Sequence, residues 1–218
     1  MTSTILNLGF LKLLILSIWV ISLVGFLLRR KIIPALSLAP KEALSFRGLY
    51  RLVTHAWIHA DFAHLFFNSL GLLFYGRYLE LHLQSETKLA FLFFFTVITS
   101  AAVYSILYYR RKVQVIGVSG AVSGLMFAVL FLNPNFTIHL WIISIPSYLV
   151  VLGFMLIQFK NEMLRHDGIA YGIHMTGALC GAGAAYFLSP IIVSNNMALV
   201  YHKVLHFIHV AWAYFASF

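Results

Sequence analysis

The sequence predicts an all-α polytopic membrane protein, and three observations carry that prediction. Of 218 residues, 61% are hydrophobic and 10% charged, with a mean hydropathy of +0.91, which leaves too little polar surface for an ordinary soluble domain. The apolar residues fall into runs of roughly 20, the length a helix needs to cross a bilayer core. The net charge of +9 lies in short clusters between those runs. Such clusters suit anionic lipid headgroups as neighbours, so the bilayer is the expected partner and nucleic acid is not. The single cysteine, Cys180, sits in an apolar run and can form no intrachain disulfide.

In chain order, the first expected span is Leu8 to Leu28. No basic residue precedes Lys12 and no small-residue cleavage site follows, so the segment is expected to remain as a helix. Arg29 to Asp61 is too long for a turn and too apolar for a free linker, and is expected to pack on the membrane surface. Further spans are expected at Phe62 to Leu81, Leu89 to Tyr109, Val113 to Leu132, Ile138 to Phe159 and Gly168 to Leu188. The breaks between them fall at His82 to Lys88, Arg110 to Lys112, Asn133 to Asn135 and Lys160 to Asp167; Asn133-Pro134-Asn135 reads as a turn. Residues 1–190 thus form one transmembrane domain. Residues 191–218 are either an interfacial helix or a seventh span: in Met197 to Phe218, His202, His206 and His209 share one helical face. With no carboxylate or thiol beside them, those histidines do not form an expected metal site.

Polar residues inside membrane spans are costly, and their placement points to function. Gly117 to Gly124 reads Gly-Val-Ser-Gly-Ala-Val-Ser-Gly, a run whose small residues allow another helix to approach and whose Ser119 is a candidate nucleophile. His64 and Asn68, four apart, share a face near the start of the second span. Ser119 lies about six residues into the fourth span and His174 about six into the sixth, roughly 9 Å down at 1.5 Å per residue. The second, fourth and sixth spans run in the same direction, so these groups coincide in depth.

His174 is followed by Gly177 and Gly181, and Ser119 by Gly120 and Gly124, so both helices carry small residues where a Ser–His hydrogen bond would need close backbones. None of the six acidic residues, Glu42, Asp61, Glu80, Glu86, Glu162 and Asp167, shares a depth and face with His174. The pattern is that of a Ser-His dyad without a carboxylate.

These motifs, over about residues 50 to 185, resemble those of the rhomboid intramembrane serine proteases. Tyr50-Arg51 with His55, His59, His64, Asn68 and Glu80 is similar to the family's run from the first loop through the second helix. Gly117-Val118-Ser119-Gly120 is similar to its nucleophile motif, and His174-x-x-Gly177-x-x-x-Gly181 to its base-bearing helix. The resemblance implies a six-helix transmembrane bundle with an optional C-terminal helix, located in the plasma (inner) membrane of a bacterium. It implies Ser119 as nucleophile and His174 as general base. It also implies an oxyanion hole of the His64 and Asn68 side chains with the Ser119 N–H, and structural roles for Arg51, Glu80 and the glycines 117, 120, 124, 177 and 181. Three positions depart from the family pattern: Tyr50 stands where a Trp is common, Ile173 where Ala is common, and Ser123 where many members stack an aromatic ring on the histidine.

The implied activity is serine endopeptidase cleavage of single-span membrane proteins, with no metal or organic cofactor. The alternatives are an inactive rhomboid-like factor that binds membrane helices and a small transporter or channel; the latter lacks any inverted repeat here. Orientation divides the two lines of argument. With the family's N-terminus inside, eleven of the 15 Lys and Arg residues would lie outside, Arg110 to Lys112 among them. Only Lys12, Arg77, Lys88 and Lys203 would lie inside, the reverse of the positive-inside rule.

Overall fold

An apolar segment in lipid has no water to satisfy its backbone, so it closes its own N–H to C=O ladder as a helix. The computed structural model describes residues 9–140, 143–164 and 170–216, and ten α-helices are found among them. α1 spans Phe10–Leu27, within the expected first run, whose Leu8 lies outside the described residues. The connection after it is folded rather than loose: α2 (Arg29–Leu36), α3 (Pro40–Ala43) and α4 (Arg51–Thr54) alternate with 3-10 turns at Phe46–Gly48 and His55–Trp57. Arg51 holds it together. Its buried guanidinium donates to the carbonyls of Pro34 at 2.9 Å and Ser37 at 2.7 Å and pairs with Glu42 at 3.1 Å.

α5 (Phe62–Leu83) starts where the Asp61 carboxylate accepts the His64 N–H at 2.8 Å, and ends at Gln84, whose φ of 49° turns the chain. Ser85 caps α6 (Glu86–Leu107) by accepting the Lys88 N–H at 3.3 Å. α7 covers only Ser119–Leu132, which corrects the expected span from Val113. The residues before it serve another purpose: Val115 pairs with Leu38 through two 2.9 Å backbone bonds, and Gly117, at φ 105°, takes a conformation that excludes a helix start before it.

The expected span Ile138 to Phe159 is likewise corrected at its start, within a fold that is otherwise helical. After an Asn133 turn, β1 (Thr137–Leu140) and β2 (Ile143–Pro146) form an antiparallel hairpin with Ile138 opposite Ile145, and only then does α8 (Ser147–Leu164) begin. Thr137, Ile138, Ile143 and Ile145 are β-branched, and a short apolar run of that kind has no periodicity to separate strand from helix. α9 is Tyr171–Leu188; the expected start at Gly168 and the end of the preceding break, Arg165 to Asp167, lie outside the described residues.

α10 (Pro190–Ala216) begins seven residues before the expected Met197, with proline in the first turn, where its missing N–H is harmless. Asn196 fastens it by donating to the Phe131 and Leu132 carbonyls at 2.8 and 3.2 Å, two of the acceptors that the end of α7 leaves open. Lys203 donates to Asn135 Oδ1 at 2.6 Å. His202, His206 and His209 are exposed.

α7 is the centre of the molecule: eleven of its fourteen residues are buried, against three on α8. Its Leu125, with Ile18, Leu65, Leu72, Leu92, Phe93 and Val97 around it, forms the main core. The outward faces of α1 and α5 are also apolar, with Leu13, Leu16, Val20, Phe67, Leu70 and Leu73 exposed, the arrangement lipid favours over water. α1 and α6 are long and apolar enough by length and composition to cross a bilayer, while α7 is apolar but shorter.

Candidate active site

Ser119 owes its position to the chain on either side of it. Before it, the Gly117 N–H donates to the His55 carbonyl at 2.9 Å and the Val118 N–H to His59 Nε2 at 3.4 Å. Because Nε2 accepts, His59 carries its proton on Nδ1 and donates it to Ser22 Oγ at 2.9 Å, while that hydroxyl donates to the Trp57 carbonyl at 2.9 Å. α1, the connection and the serine loop are thereby tied into one relay. Both loop histidines are neutral. Burial drives His59 down to about 3, helped by the neighbouring His64 and opposed by Asp61. Burial likewise drives His55 down to about 4, against the bond to the Arg51 carbonyl.

After Ser119 the chain is α7, and α9 lies against it backbone to backbone. A methyl group added at Gly177 would run into the Gly120 carbonyl, and one at Gly181 into that of Gly124. This contact brings His174, the fourth residue of α9, to the serine at the first position of α7, with 2.8 Å between Nε2 and Oγ. In the structure Ser119 is the first residue of α7 rather than the sixth or so of a helix from Val113. On the other side of the ring, Nδ1 lies 2.7 Å from Gln158 Oε1 of α8. An amide oxygen can only accept, so Nδ1 bears the proton and Nε2 offers its lone pair to the serine hydroxyl. Phe154 and Tyr171 flank the imidazole, with ring centroids 6.4 and 6.3 Å away.

His64 and Asn68 approach from α5. A Cβ at Gly117 would stand 2.7 Å from His64 Cε1, 2.8 Å from its Nε2 and 3.5 Å from Asn68 Nδ2, so only glycine lets both side chains close over the serine loop. Asn68 is buried, and its Nδ2 has no hydrogen-bond partner among the described residues. An unpartnered buried donor is expensive. Here it lies beside the serine loop, where the Ser119 N–H, in the first turn of α7, has no partner within its own helix. A neutral base on the hydroxyl and amide donors next to it are the parts needed for acyl transfer.

The rhomboid domain family model matches residues 47–191, about two-thirds of the chain. The chain belongs to the rhomboid family. No curated protein matches it. The rhomboid assignment together with the apolar helices makes it an integral membrane protein.

Not every residue singled out from the sequence of this rhomboid meets at Ser119. Arg51 lies in the connection and binds the carbonyls described above, while Glu80 pairs with Arg77 near the far end of α5, roughly 24 Å along the helix from His64. Ser123 turns its hydroxyl to the Ser119 carbonyl at 2.9 Å rather than to the imidazole. Glu162 accepts the Gly172 N–H at 3.0 Å and the Tyr108 hydroxyl at 2.9 Å, at the start of α9. The residue that sequence reasoning missed is Gln158. Its signal was present: it is an uncharged polar side chain within an apolar run, at a place where such groups are rarely idle.

Proposed function

We propose that this rhomboid is an intramembrane serine endopeptidase that cuts single-span membrane proteins. The observation that carries the reading is the 2.8 Å contact between Ser119 Oγ and His174 Nε2 on a ring protonated at Nδ1. α1, α5, α6, α7, α8 and α9 are the six spans of the bundle, α10 is an added apolar helix, and the membrane is a bacterial plasma membrane. Transmembrane proteins are the substrates and no cofactor takes part.

In this reading His174 takes the serine proton as Oγ attacks the scissile carbonyl, and the resulting imidazolium gives it to the departing amine. Water then hydrolyses the acyl-enzyme with the same base. The oxyanion is met by the Ser119 N–H, Asn68 and His64, each well-aimed donor contributing about 3 to 4 kcal/mol by analogy with soluble proteases. His64→Ala and Asn68→Ala are therefore expected to slow cleavage by roughly 10 to 1000-fold each while a small fluorophosphonate still labels Ser119. Parallel loss of labelling and turnover would assign them to folding.

A helical substrate cannot present a carbonyl to Ser119, because its backbone is bonded within the helix and covered by side chains. Substrates must unwind near the level of the site, so cuts are expected at small residues beside Gly or Pro, which weaken a helix by about 1 and 3 kcal/mol relative to Ala. The test uses purified protein, wild type and Ser119→Ala, with one-span reporters carrying Gly-Pro, Gly-Ala or Leu-Leu just below the membrane surface. Products are mapped by mass spectrometry. Cleavage by wild type alone, fastest for Gly-Pro, is the expected result; equal cutting of Leu-Leu would remove unwinding as the selector, and equal cutting by Ser119→Ala would remove the protease reading.

A further inference from the structure

α8 is the least buried of the helices around the site, yet its few inward residues include a glutamine. Ser147, Val151 and Gln158 are buried, and Gln158, at 8% exposure, has its amide oxygen 2.7 Å from His174 Nδ1. One turn further on, Glu162 binds the Gly172 N–H at 3.0 Å. α8 therefore grips α9 through two residues spaced i and i+4 along one face, and one of the groups they hold is the imidazole.

We propose that Gln158 is the positioning residue for His174, acting as the uncharged third member of a Ser119–His174–Gln158 relay. The inference rests on the protease reading above. An imidazole free to rotate, or to move its proton to Nε2, presents no lone pair to the serine. Gln158 Oε1 counters both freedoms, because an acceptor oxygen bonds a protonated ring nitrogen and not a bare one. A carboxylate would do the same and would also have to be buried as a charge in an apolar setting, a heavy penalty that the neutral amide avoids. Among the described residues Gln158 is the side chain found bonded to Nδ1: Ser123, one turn from Ser119, spends its hydroxyl on its own helix, and Phe154 and Tyr171 meet the imidazole through their rings. The acceptor must keep its reach, so Glu can replace Gln and Leu cannot.

The test compares wild type, Gln158→Leu and Gln158→Glu in detergent or nanodiscs. Gln158→Leu is expected to lower kcat by about 10 to 100-fold, the range seen when a group that orients a catalytic or ligating histidine is removed, with KM unchanged. Gln158→Glu, which restores the acceptor, is expected to recover most of the loss. In NMR of protein labelled with nitrogen-15 at histidine, a low-field Nδ1–H proton from His174, identified by its loss in His174→Ala, should be present in wild type and Gln158→Glu and absent in Gln158→Leu. Unchanged kcat in Gln158→Leu, or a loss that Gln158→Glu does not repair, overturns the inference. Should Gln158→Leu fail to fold, the proton resonance in wild type and the kcat of Gln158→Glu decide it: a missing resonance, or Gln158→Glu as inactive as a Ser119 variant, overturns it. Wild type that neither cuts nor labels at Ser119 would refute the protease reading, and the resonance would still report the Gln158–His174 bond separately.

Discussion

Replacing Ser119 or His174 with alanine is expected to bring cleavage of a one-span reporter down to background while the protein keeps its fold. Members of a nucleophile–base pair act as a unit, and removing either from a soluble serine protease lowers kcat on the order of a million-fold. On the protease reading, a loss of that size should take the residual rate below detection. The two variants should differ in one respect. Ser119→Ala has no oxygen to label, whereas His174→Ala keeps the hydroxyl but lacks the base that activates it, so fluorophosphonate labelling should be absent in the first and strongly slowed in the second. Neither change touches the glycine contact between α7 and α9, and thermal unfolding should stay close to wild type. Turnover by Ser119→Ala at anything near the wild-type rate would remove this serine from the chemistry.

The second large effect is expected at Gly181. Leucine there would drive a side chain into the Gly124 carbonyl. Overpacking a core typically costs 1 to 3 kcal/mol when neighbouring side chains can shift. Here the obstacle is backbone, which has no alternative rotamer, so the penalty should exceed that range and separate α7 from α9. Gly181→Leu is expected to lose labelling and cleavage together and to unfold at a much lower temperature. Gly177→Leu should do the same through the Gly120 carbonyl. Gly183→Leu is the control: it lies on the same helix, and a Cβ there meets nothing within 4 Å. Its melting temperature should match wild type; a comparable fall in Gly183→Leu would show that leucine in α9, rather than the Gly–Gly contact, is responsible.

The membrane class and the helices were legible because composition and run length report solvent directly, and lipid leaves the backbone few options. Ser119, His174, His64 and Asn68 stood out for a related reason, as polar groups in runs where polarity is costly. What was not legible depended on contacts between segments. The run Val113 to Ile116 is as apolar as a helix, and nothing local shows that Val115 pairs with Leu38 instead. Residues 137–146 carry strand-forming side chains inside a stretch long enough to read as a span, and the hairpin moves the start of α8 to Ser147. Gln158 was visible as a polar residue in an apolar run, but that its face of α8 packs on α9 beside His174 is a contact between segments that no spacing within the chain reveals.

The glycine contacts between α7 and α9 bear on how the site responds to its surroundings. Where two helices touch through side chains, the gap between them is a soft spring, since rotamers adjust as the bilayer thins, thickens or changes its lateral pressure. Gly120 against Gly177 and Gly124 against Gly181 leave no such spring. The spacing between the serine and histidine backbones is set by the thickness of two main chains, a mechanical stop rather than a cushion. Deformation of the surrounding lipid is then expected to leave the spacing of the Ser119 and His174 backbones unchanged.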